Sequence, residues 1–157
     1  MRWLGIDPGK RGAIAWCDDS GPVSVIAMPE TEREVWDELN RITFGRGYCG
    51  LGPVECFAVI EDVHSMPGQG VVSAFTFGCG YGGLRMALIG LGIPFRAVSP
   101  AKWQAAMQCR TGGDKHVSKR RAQELIPGVK VTLVNADALL IALYARANAE
   151  RLMGREP

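Results

Sequence analysis

Residues 2–12 read RWLGIDPGKRG, an apolar run that ends in a single acid and a glycine-rich turn. The apolar run predicts a strand, and Pro8, Gly9 and Gly12 favour a tight hairpin into the next apolar run, residues 13–17. Asp7 therefore stands at the end of a buried strand. Because an isolated carboxylate is costly to bury unless it is paired or bound to a metal, this position predicts a bound cation.

The same stretch has two other interpretations. It is close to a phosphate-binding P-loop, but the spacing from Gly5 to Gly9 and Lys10 is one residue short, and Arg11 stands where that motif needs Ser or Thr. This excludes the P-loop. An acid in a Gly-rich turn is also a common plain turn, so the rest of the chain has to decide between a turn and a site.

The composition is that of one soluble domain. At 157 residues, with 47% apolar and 22% charged residues, the chain is long enough for one domain spanning residues 1–157 and too short for two. The N-terminus lacks the basic, apolar and small-residue pattern of a signal peptide. We therefore expect a cytoplasmic protein with no membrane association.

The cysteines predict neither disulfides nor a zinc site. Their number is odd and none stands in a Cys-x-x-Cys or Cys/His spacing. The five are Cys17, Cys49, Cys56, Cys79 and Cys109. We expect them to be reduced and mostly packed.

The net charge of +2 conceals an uneven distribution. Residues 1–61 hold six Lys or Arg against ten Asp or Glu, whereas residues 99–130 hold seven basic residues against two acids. The seven are Lys102, Arg110, Lys115, Lys119, Arg120, Arg121 and Lys130. A basic segment is often only a solvated helix face, but beside an acidic metal site it indicates a polyanionic substrate.

The order of elements predicts an α/β sheet of mixed direction. Three antiparallel strands (residues 3–6, 13–17 and 23–28) precede an amphipathic helix over 30–41, capped near Thr31, and a Gly-rich loop over 45–53. A second buried strand, 54–60, runs into Glu61. A short strand over 94–98 leads to a helix begun by Ser99 and Pro100, with Trp103 and Met107 on its inner side. A polar loop over 112–116, a basic helix over 117–126 and a final helix over 136–152 complete the chain.

The longest apolar stretch, residues 71–91, has the length of a membrane span. Arg85 and six glycines between Gly78 and Gly92 argue against one. Ala74, Gly78 and Gly82 recur every four residues, so they share one helix face. Such a face predicts a tight helix pair, within the subunit or across a dimer.

Three acids form the predicted site. Asp7 and Glu61 each end a strand, and Asp137 opens the last helix, so the three converge if the first and fourth strands are neighbours. Oxygen ligands without Cys or clustered His suit Mg²⁺ or Mn²⁺. Two such ions about 3.5–4 Å apart can activate a water and stabilise the leaving oxygen of a phosphodiester. This is nuclease chemistry.

The same residues resemble the RuvC Holliday junction resolvases of the RNase H-like superfamily. The resemblance lies in Gly5-Ile6-Asp7-Pro8-Gly9, in Ile60-Glu61, and in Ala136-Asp137-Ala138-Leu139-Leu140 with Ala142. Two further segments are similar to resolvases of phage type: Ser65-Met66-Pro67-Gly68-Gln69-Gly70 with Phe77-Gly78 and Tyr81-Gly82, and Val98-Ser99-Pro100 with Trp103-Gln104. Together they span most of the chain in the family's order.

The resemblance implies an RNase H-like mixed five-stranded sheet, three strands antiparallel and two parallel, with helices on both faces. It implies a homodimeric, metal-dependent endonuclease of a bacterial cell or phage-infected host. Such an enzyme resolves Holliday junctions or other branched DNA by paired cuts, using Mg²⁺ or Mn²⁺, two ions per site, held by Asp7, Glu61 and Asp137. It also implies that His64, three residues beyond the second acid, stacks at the opened centre of the junction; a solvated loop residue is the plain alternative.

The basic segment then has specific roles. We expect Lys115 or Lys119 to neutralise the scissile phosphate beside the metals. Further phosphate contacts are predicted for Lys102, Arg110, Arg120 and Arg121.

One departure from the family pattern concerns a fourth metal ligand, usually Asp or His, one turn before the final Asp. Here the candidates are Leu133 and Val134, which cannot bind a metal. Asn135 would point away from Asp137 on a regular helix and is predicted to be the N-cap. Asp62 is a poor fourth ligand because adjacent strand residues face opposite ways. We therefore expect a weak metal site that needs high metal concentrations and favours Mn²⁺.

Two rival functions remain at this point. The missing ligand allows a non-catalytic or weakly catalytic protein that only binds branched DNA. An ATP-binding fold of the actin and sugar-kinase kind also begins with a strand that ends in an acid and a Gly-rich turn. That fold needs two lobes and a second phosphate loop, for which this chain is short.

Overall fold

A five-stranded mixed sheet forms the centre of the computed structural model, which describes residues 1–45, 54–64, 68 and 70–154. The strands are β1 (Arg2–Asp7), β2 (Ala13–Asp18), β3 (Val23–Ala27), β4 (Cys56–Glu61) and β5 (Phe95–Val98). Their spatial order is β3-β2-β1-β4-β5. The first three pair antiparallel, while β4 runs parallel to β1 and β5 parallel to β4. The predicted mixed five-stranded sheet, with three strands antiparallel and two parallel, is confirmed.

Six helices lie within the described residues. They are α1 (Glu32–Phe44), α2 (Val71–Gly90), α3 (Pro100–Ala106), α4 (Lys115–Leu125), α5 (Ala136–Ala147) and α6 (Ala149–Met153). Helix α1 begins as the sequence predicts, because the Thr31 hydroxyl accepts the Glu34 N–H at 3.2 Å and the Glu34 carboxylate accepts the Thr31 N–H at 3.0 Å.

The helices cover both faces of the sheet. On one face α5 packs along β1, β2 and β4 over a core that includes Trp3, Val59 and Tyr144. On the other face α1 and α2 lie over Leu4, Ile14 and the remaining alternate side chains. Successive side chains of the central strands point to opposite faces of the sheet, so each face has its own hydrophobic core.

Several helix boundaries differ from the predictions, and α1 spans Glu32–Phe44 rather than 30–41. Helix α4 begins at Lys115 rather than residue 117, because the Asp114 side chain accepts the His116 N–H at 2.9 Å and acts as N-cap. The final helix is interrupted at Asn148, whose side-chain amide donates to the Tyr144 carbonyl at 3.0 Å. A side chain that competes for a helix carbonyl weakens the helix at that point.

The glycine face of α2 makes no close contact within the described chain. A Cβ added at Gly78 or Gly82 would meet nothing within 4 Å. The close approach of α1 and α2 occurs instead at Gly90, where an added Cβ would lie 2.8 Å from the Trp36 ring. Within the subunit, the predicted helix pair therefore uses different glycines.

Several predictions fall outside the described residues: the loop from residue 46 to 53, Cys49, and most of the segment 65–70. Of the other cysteines, which are free thiols, Cys17, Cys56 and Cys109 are buried and Cys79 is exposed. No helix in the described ranges combines the length and the apolar character needed to cross a membrane.

Candidate active site

The first predicted site residue, Asp7, is held by the turn that follows β1. Its carboxylate accepts the Gly9 N–H at 3.2 Å, and the Gly12 N–H donates to the Gly9 carbonyl at 2.7 Å. A Cβ at Gly12 would lie 2.1 Å from the Asp7 carbonyl oxygen, so this turn requires glycine there. Asp7 is 8% exposed. Burial is the main cause that raises the pKa of its carboxyl. The hydrogen bond from Gly9 lowers this pKa, the charge of Asp137 raises it and the charge of Lys115 lowers it.

Glu61 stands beside Asp7 at the same edge of the sheet. Strands β1 and β4 are parallel and Ile6 lies opposite Ile60, so the next residue of each strand, Asp7 or Glu61, stands at the same edge of the sheet. Burial is the main cause that raises the pKa of Glu61 to about 7. A hydrogen bond from the Trp103 indole lowers this pKa, whereas the charges of Asp7 and Asp137 raise it.

Asp137 is brought towards the two strand-end acids because α5 lies close to β1. A Cβ at Gly5 would lie 2.1 Å from the Ala142 nitrogen and 2.4 Å from the Ala138 oxygen. Only glycine permits this approach, which places the first turn of α5 over the end of β1. The Asp137 side chain is 14% exposed, and its buried Oδ1 has no hydrogen-bond partner among the described residues.

Lys115 lies beside Asp137. Its Nζ lies 3.7 Å from Asp137 Oδ2, and its charge lowers the pKa values of both Asp7 and Glu61. The side chain is 58% exposed, so it reaches from solvent into the acidic cluster. The earlier start of α4 is what brings it there.

The donor set fits a hard divalent cation in its chemistry. All three acids offer oxygen, the pKa values of Asp7 and Glu61 are raised by burial and by the charge of Asp137, and Asp137 Oδ1 is buried without a partner in the described chain. Across the described residues, however, no three His, Cys, Asp or Glu side chains converge closely enough to hold one ion. In this conformation one Glu61 oxygen is bonded to Trp103 and one Asp137 oxygen faces Lys115.

The similarity of this chain to known proteins is found in its structure and not in its sequence. No family model matches the sequence, and no curated protein shows significant sequence similarity to it. Thermus thermophilus RuvC superposes with a TM-score of 0.65 at 19% identity, covering 98% of this chain and 97% of that one. T. thermophilus RuvC in complex with a Holliday junction substrate gives 0.64 at 18% identity, with 96% of each chain covered. The chain has the RuvC fold.

In the turn before Asp137, the side chain of Asn135 does not have its predicted capping role. Asn135 occupies the N-cap position, but its side chain makes no capping bond to α5. Its Oδ1 accepts the Thr132 N–H at 2.7 Å and its amide donates to the Lys130 carbonyl at 3.1 Å. The Asn135 side chain therefore braces the preceding loop. Leu133 and Val134 are 38% and 41% exposed.

The basic residues that the sequence predicts to contact DNA lie on α3, on α4 and on the connection between them. Lys102, Arg110 and Arg120 are exposed, and Lys119 is half-buried. Arg121 is the weakest candidate of the set, because its Nε donates to the Met107 carbonyl at 2.9 Å and its Nη1 lies 3.1 Å from Glu124.

The loop after Glu61 presents His64 to solvent. Its side chain is 80% exposed, and its Nε2 lies 3.7 Å from an Asp62 oxygen. Asp62 is thus directed at His64, which agrees with its expected weakness as a fourth ligand.

Trp103 is a residue near the site that the sequence predictions placed only in the core. Its indole N–H donates to Glu61 Oε1 at 2.9 Å. The signal that could have found it is the spacing after β5: a Ser-Pro helix start puts Trp103 one turn beyond a strand that neighbours Glu61.

Proposed function

We propose that this chain is a metal-dependent endonuclease, resembling resolvases of phage type, that cleaves Holliday junctions or other branched DNA by phosphodiester hydrolysis. The observation that carries the proposal is that Asp7 and Glu61 end neighbouring parallel strands at one edge of the sheet. Asp137, at the start of α5, is near enough for its charge to raise the pKa of both, and Lys115 lies 3.7 Å from Asp137. Buried acids with raised pKa values are costly for a fold, and their position beside a lysine supports a catalytic use.

Asp7, Glu61 and Asp137 are the residues that would hold Mg²⁺ or Mn²⁺, two ions per site. When bound, such ions supply an activated water and stabilise the leaving oxygen of the phosphodiester. We assign neutralisation of the scissile phosphate to Lys115 or Lys119. The Nζ of Lys115 lies 3.7 Å from Asp137 Oδ2 and its side chain is 58% exposed, which supports Lys115, and Lys119 lies one turn further along α4.

Branched DNA is the proposed substrate for two reasons. One structure with the same fold was solved in complex with a Holliday junction substrate. In this chain, α4 carries Lys115 beside Asp137, and exposed basic residues lie on α3, on α4 and on their connection, where phosphate contacts would position a duplex. We assign these contacts to Lys102, Arg110 and Arg120, with Arg121 as the weakest member, and we assign base stacking to His64.

A homodimer is part of the proposal because α2 is apolar on two sides. Leu84, Ala87 and Leu88 bury one side against the sheet. The opposite side carries a stripe at helical spacing, which we call the α2 stripe: Val71, Phe75, Gly78, Gly82, Met86 and Ile89. Of these, Val71 is 84% and Phe75 73% exposed. A contiguous exposed apolar patch of this kind marks an interface, and a two-fold pair would present two sites to opposing strands.

The proposed function is tested by incubating the purified protein with a synthetic four-way junction and a matching linear duplex, with Mg²⁺, with Mn²⁺ and with chelator. We expect paired cuts in the junction, dependent on metal, and little cutting of the duplex. Equal cutting of both DNAs would reject branch selectivity, and cutting in chelator would reject the metal.

A non-catalytic protein that binds branched DNA is the second candidate. It is favoured by Val134 at the position where a fourth ligand is expected, and by the separation of the three acids in the described structure. Tight junction binding without cleavage at any Mg²⁺ or Mn²⁺ concentration would establish this candidate in place of the nuclease.

A further inference from the structure

Trp103 is fixed relative to Glu61 by the main chain. Strand β5 pairs with β4 so that Val98 lies opposite Glu61, and the Asp62 N–H donates to the Val98 carbonyl at 2.9 Å. Helix α3 begins two residues after Val98, and the Trp103 N–H reaches back to the Ser99 carbonyl at 3.3 Å. The acid and the indole are thus carried by two neighbouring strand ends, and neither depends on a long loop.

The contact between them is specific to the indole N–H. Trp103 is 0% exposed, and its Nε1 donates to Glu61 Oε1 at 2.9 Å. An indole can only donate through this atom, so it needs an acceptor when buried. Phe would fill nearly the same apolar space among Val98, Met107 and Leu139. Phe has no N–H to donate, so it could not make the hydrogen bond to Glu61 Oε1.

We propose that Trp103 is a positioning residue, which holds Glu61 Oε1 so that Glu61 Oε2 is presented to a divalent cation. This inference rests on the proposed function. Partners that orient metal-binding side chains through a hydrogen bond raise affinity because they reduce the number of conformations that binding must exclude. The family pattern has four metal ligands and this chain offers three acids. Fixing Glu61 would therefore offset part of the metal affinity that the fourth ligand would supply.

The chain contains a matched control for this bond. Trp3 is 3% exposed, lies in the same core, and donates its indole N–H to Asp19 Oδ1 at 2.7 Å. That bond is at the opposite end of β1 from Asp7, about 13 Å away at the usual strand rise. Trp3→Phe and Trp103→Phe therefore remove the same group from the same kind of partner, at the site in one case only.

The experiment measures Mn²⁺ affinity without DNA, by electron paramagnetic resonance of the free ion, for the parent, Trp103→Phe and Trp3→Phe. We expect Trp103→Phe to bind Mn²⁺ about 10–100-fold more weakly and Trp3→Phe to bind as the parent does. Junction cleavage should show the same order, with the loss in Trp103→Phe reduced at high Mn²⁺.

Equal affinities in all three proteins would overturn the proposal and leave Trp103 as a packing residue. Tighter binding by Trp103→Phe would also overturn it, because the indole would then hold Glu61 away from the ion. If the parent itself neither binds Mn²⁺ nor cleaves a junction, the proposed function fails and this inference with it. Normal binding in the parent with no change in Trp103→Phe rejects the inference alone.

A second measurement applies if Trp103→Phe does not fold. The parent, labelled with ¹⁵N, has four indole N–H resonances, from Trp3, Trp16, Trp36 and Trp103, which are assigned by replacing the first three singly with Phe. Addition of Mg²⁺ should shift the Trp103 resonance while its N–H stays protected from solvent exchange, and should leave Trp3 unchanged. A Trp103 resonance that does not respond to saturating Mg²⁺ would reject the positioning role.

Discussion

The buried carboxylates of Asp7 and Glu61 set the energetics of the site. Each is desolvated and each lies near another acid, so the pKa of each is raised. Such groups destabilise the metal-free protein and become favourable only when a cation neutralises them. Function and stability should therefore respond in opposite directions when either acid is replaced by its amide.

The amides test the cleavage role. Asp7→Asn and Glu61→Gln should each abolish junction cleavage while leaving junction binding unchanged, because each removes a ligand charge and nearly preserves shape. Cleavage rates and gel-shift affinities measure the two effects. Asp37→Asn is the control, because Asp37 lies on α1 and pairs with Arg33 at 3.0 Å, and it should cleave like the parent. Normal cleavage by Asp7→Asn would remove Asp7 from the site.

The raised pKa of Glu61 predicts a pH dependence of stability. A carboxyl whose pKa rises from 4.5 to about 7 on folding binds its proton more tightly in the folded state. Its stabilising contribution is complete below pH 4.5 and is lost as the pH rises to about 7. The free energy of unfolding in chelator should fall over this window, by at most about 3 kcal/mol.

Urea unfolding of the parent and Glu61→Gln at several pH values measures this effect. The Gln variant should lose most of the decline, and saturating Mn²⁺ should reduce the decline in the parent. A parent whose stability in chelator rises between these pH values would show that other groups dominate.

Helix α4 combines one lysine in the site with a basic surface outside it. Ala at Lys102, Lys119 or Arg120 should weaken junction binding and lower the slope of log affinity against log salt by about 0.9 for each phosphate that is no longer neutralised. Arg121→Ala should lower thermal stability and change the slope less than the other three, because Arg121 bonds Met107 and Glu124. An unchanged slope across the first three would assign them to a solvated helix face.

The turn before α5 decides whether a fourth ligand can be restored. The Ala136 N–H donates to the Thr132 carbonyl at 3.2 Å, so helical bonding begins before the first residue of α5. Val134 then lies three residues before Asp137 on the same side. Val134→Asp should lower the Mg²⁺ concentration for half-maximal cleavage, whereas Asn135→Asp should not and should loosen the loop that Asn135 braces. The opposite order of the two variants would show that Asn135 already faces the metals.

Assembly of two subunits depends on the α2 stripe. Phe75→Glu places a charge within this exposed stripe, where Phe75 is 73% exposed and buries little within its own subunit. We expect it to convert a dimer into a folded monomer that cuts only one strand of a junction, measured by sedimentation and by product lengths. Leu125→Glu, on α4 and 39% exposed, should remain dimeric. A monomeric parent would contradict the proposed assembly.

The features that the sequence predicted correctly are local ones. The strand ending at Asp7, the strand ending at Glu61, the capping box at Thr31 and the Ser99–Pro100 helix start all depend on residues within a few positions of one another. Turn chemistry, caps and apolar periodicity act over that range. The mixed sheet followed because few topologies accommodate these elements in this order.

What only the folded chain decided depends on groups far apart in sequence. The bond from Trp103 to Glu61 spans 42 positions, and the contact of Gly5 with Ala142 brings Asp137 to Asp7. The Lys115 pairing with Asp137 and the bracing role of Asn135 arise in the same way. No local pattern encodes these contacts, because burial, which sets the cost of an unpaired carboxylate and the need of an indole for an acceptor, exists only after distant elements have packed together.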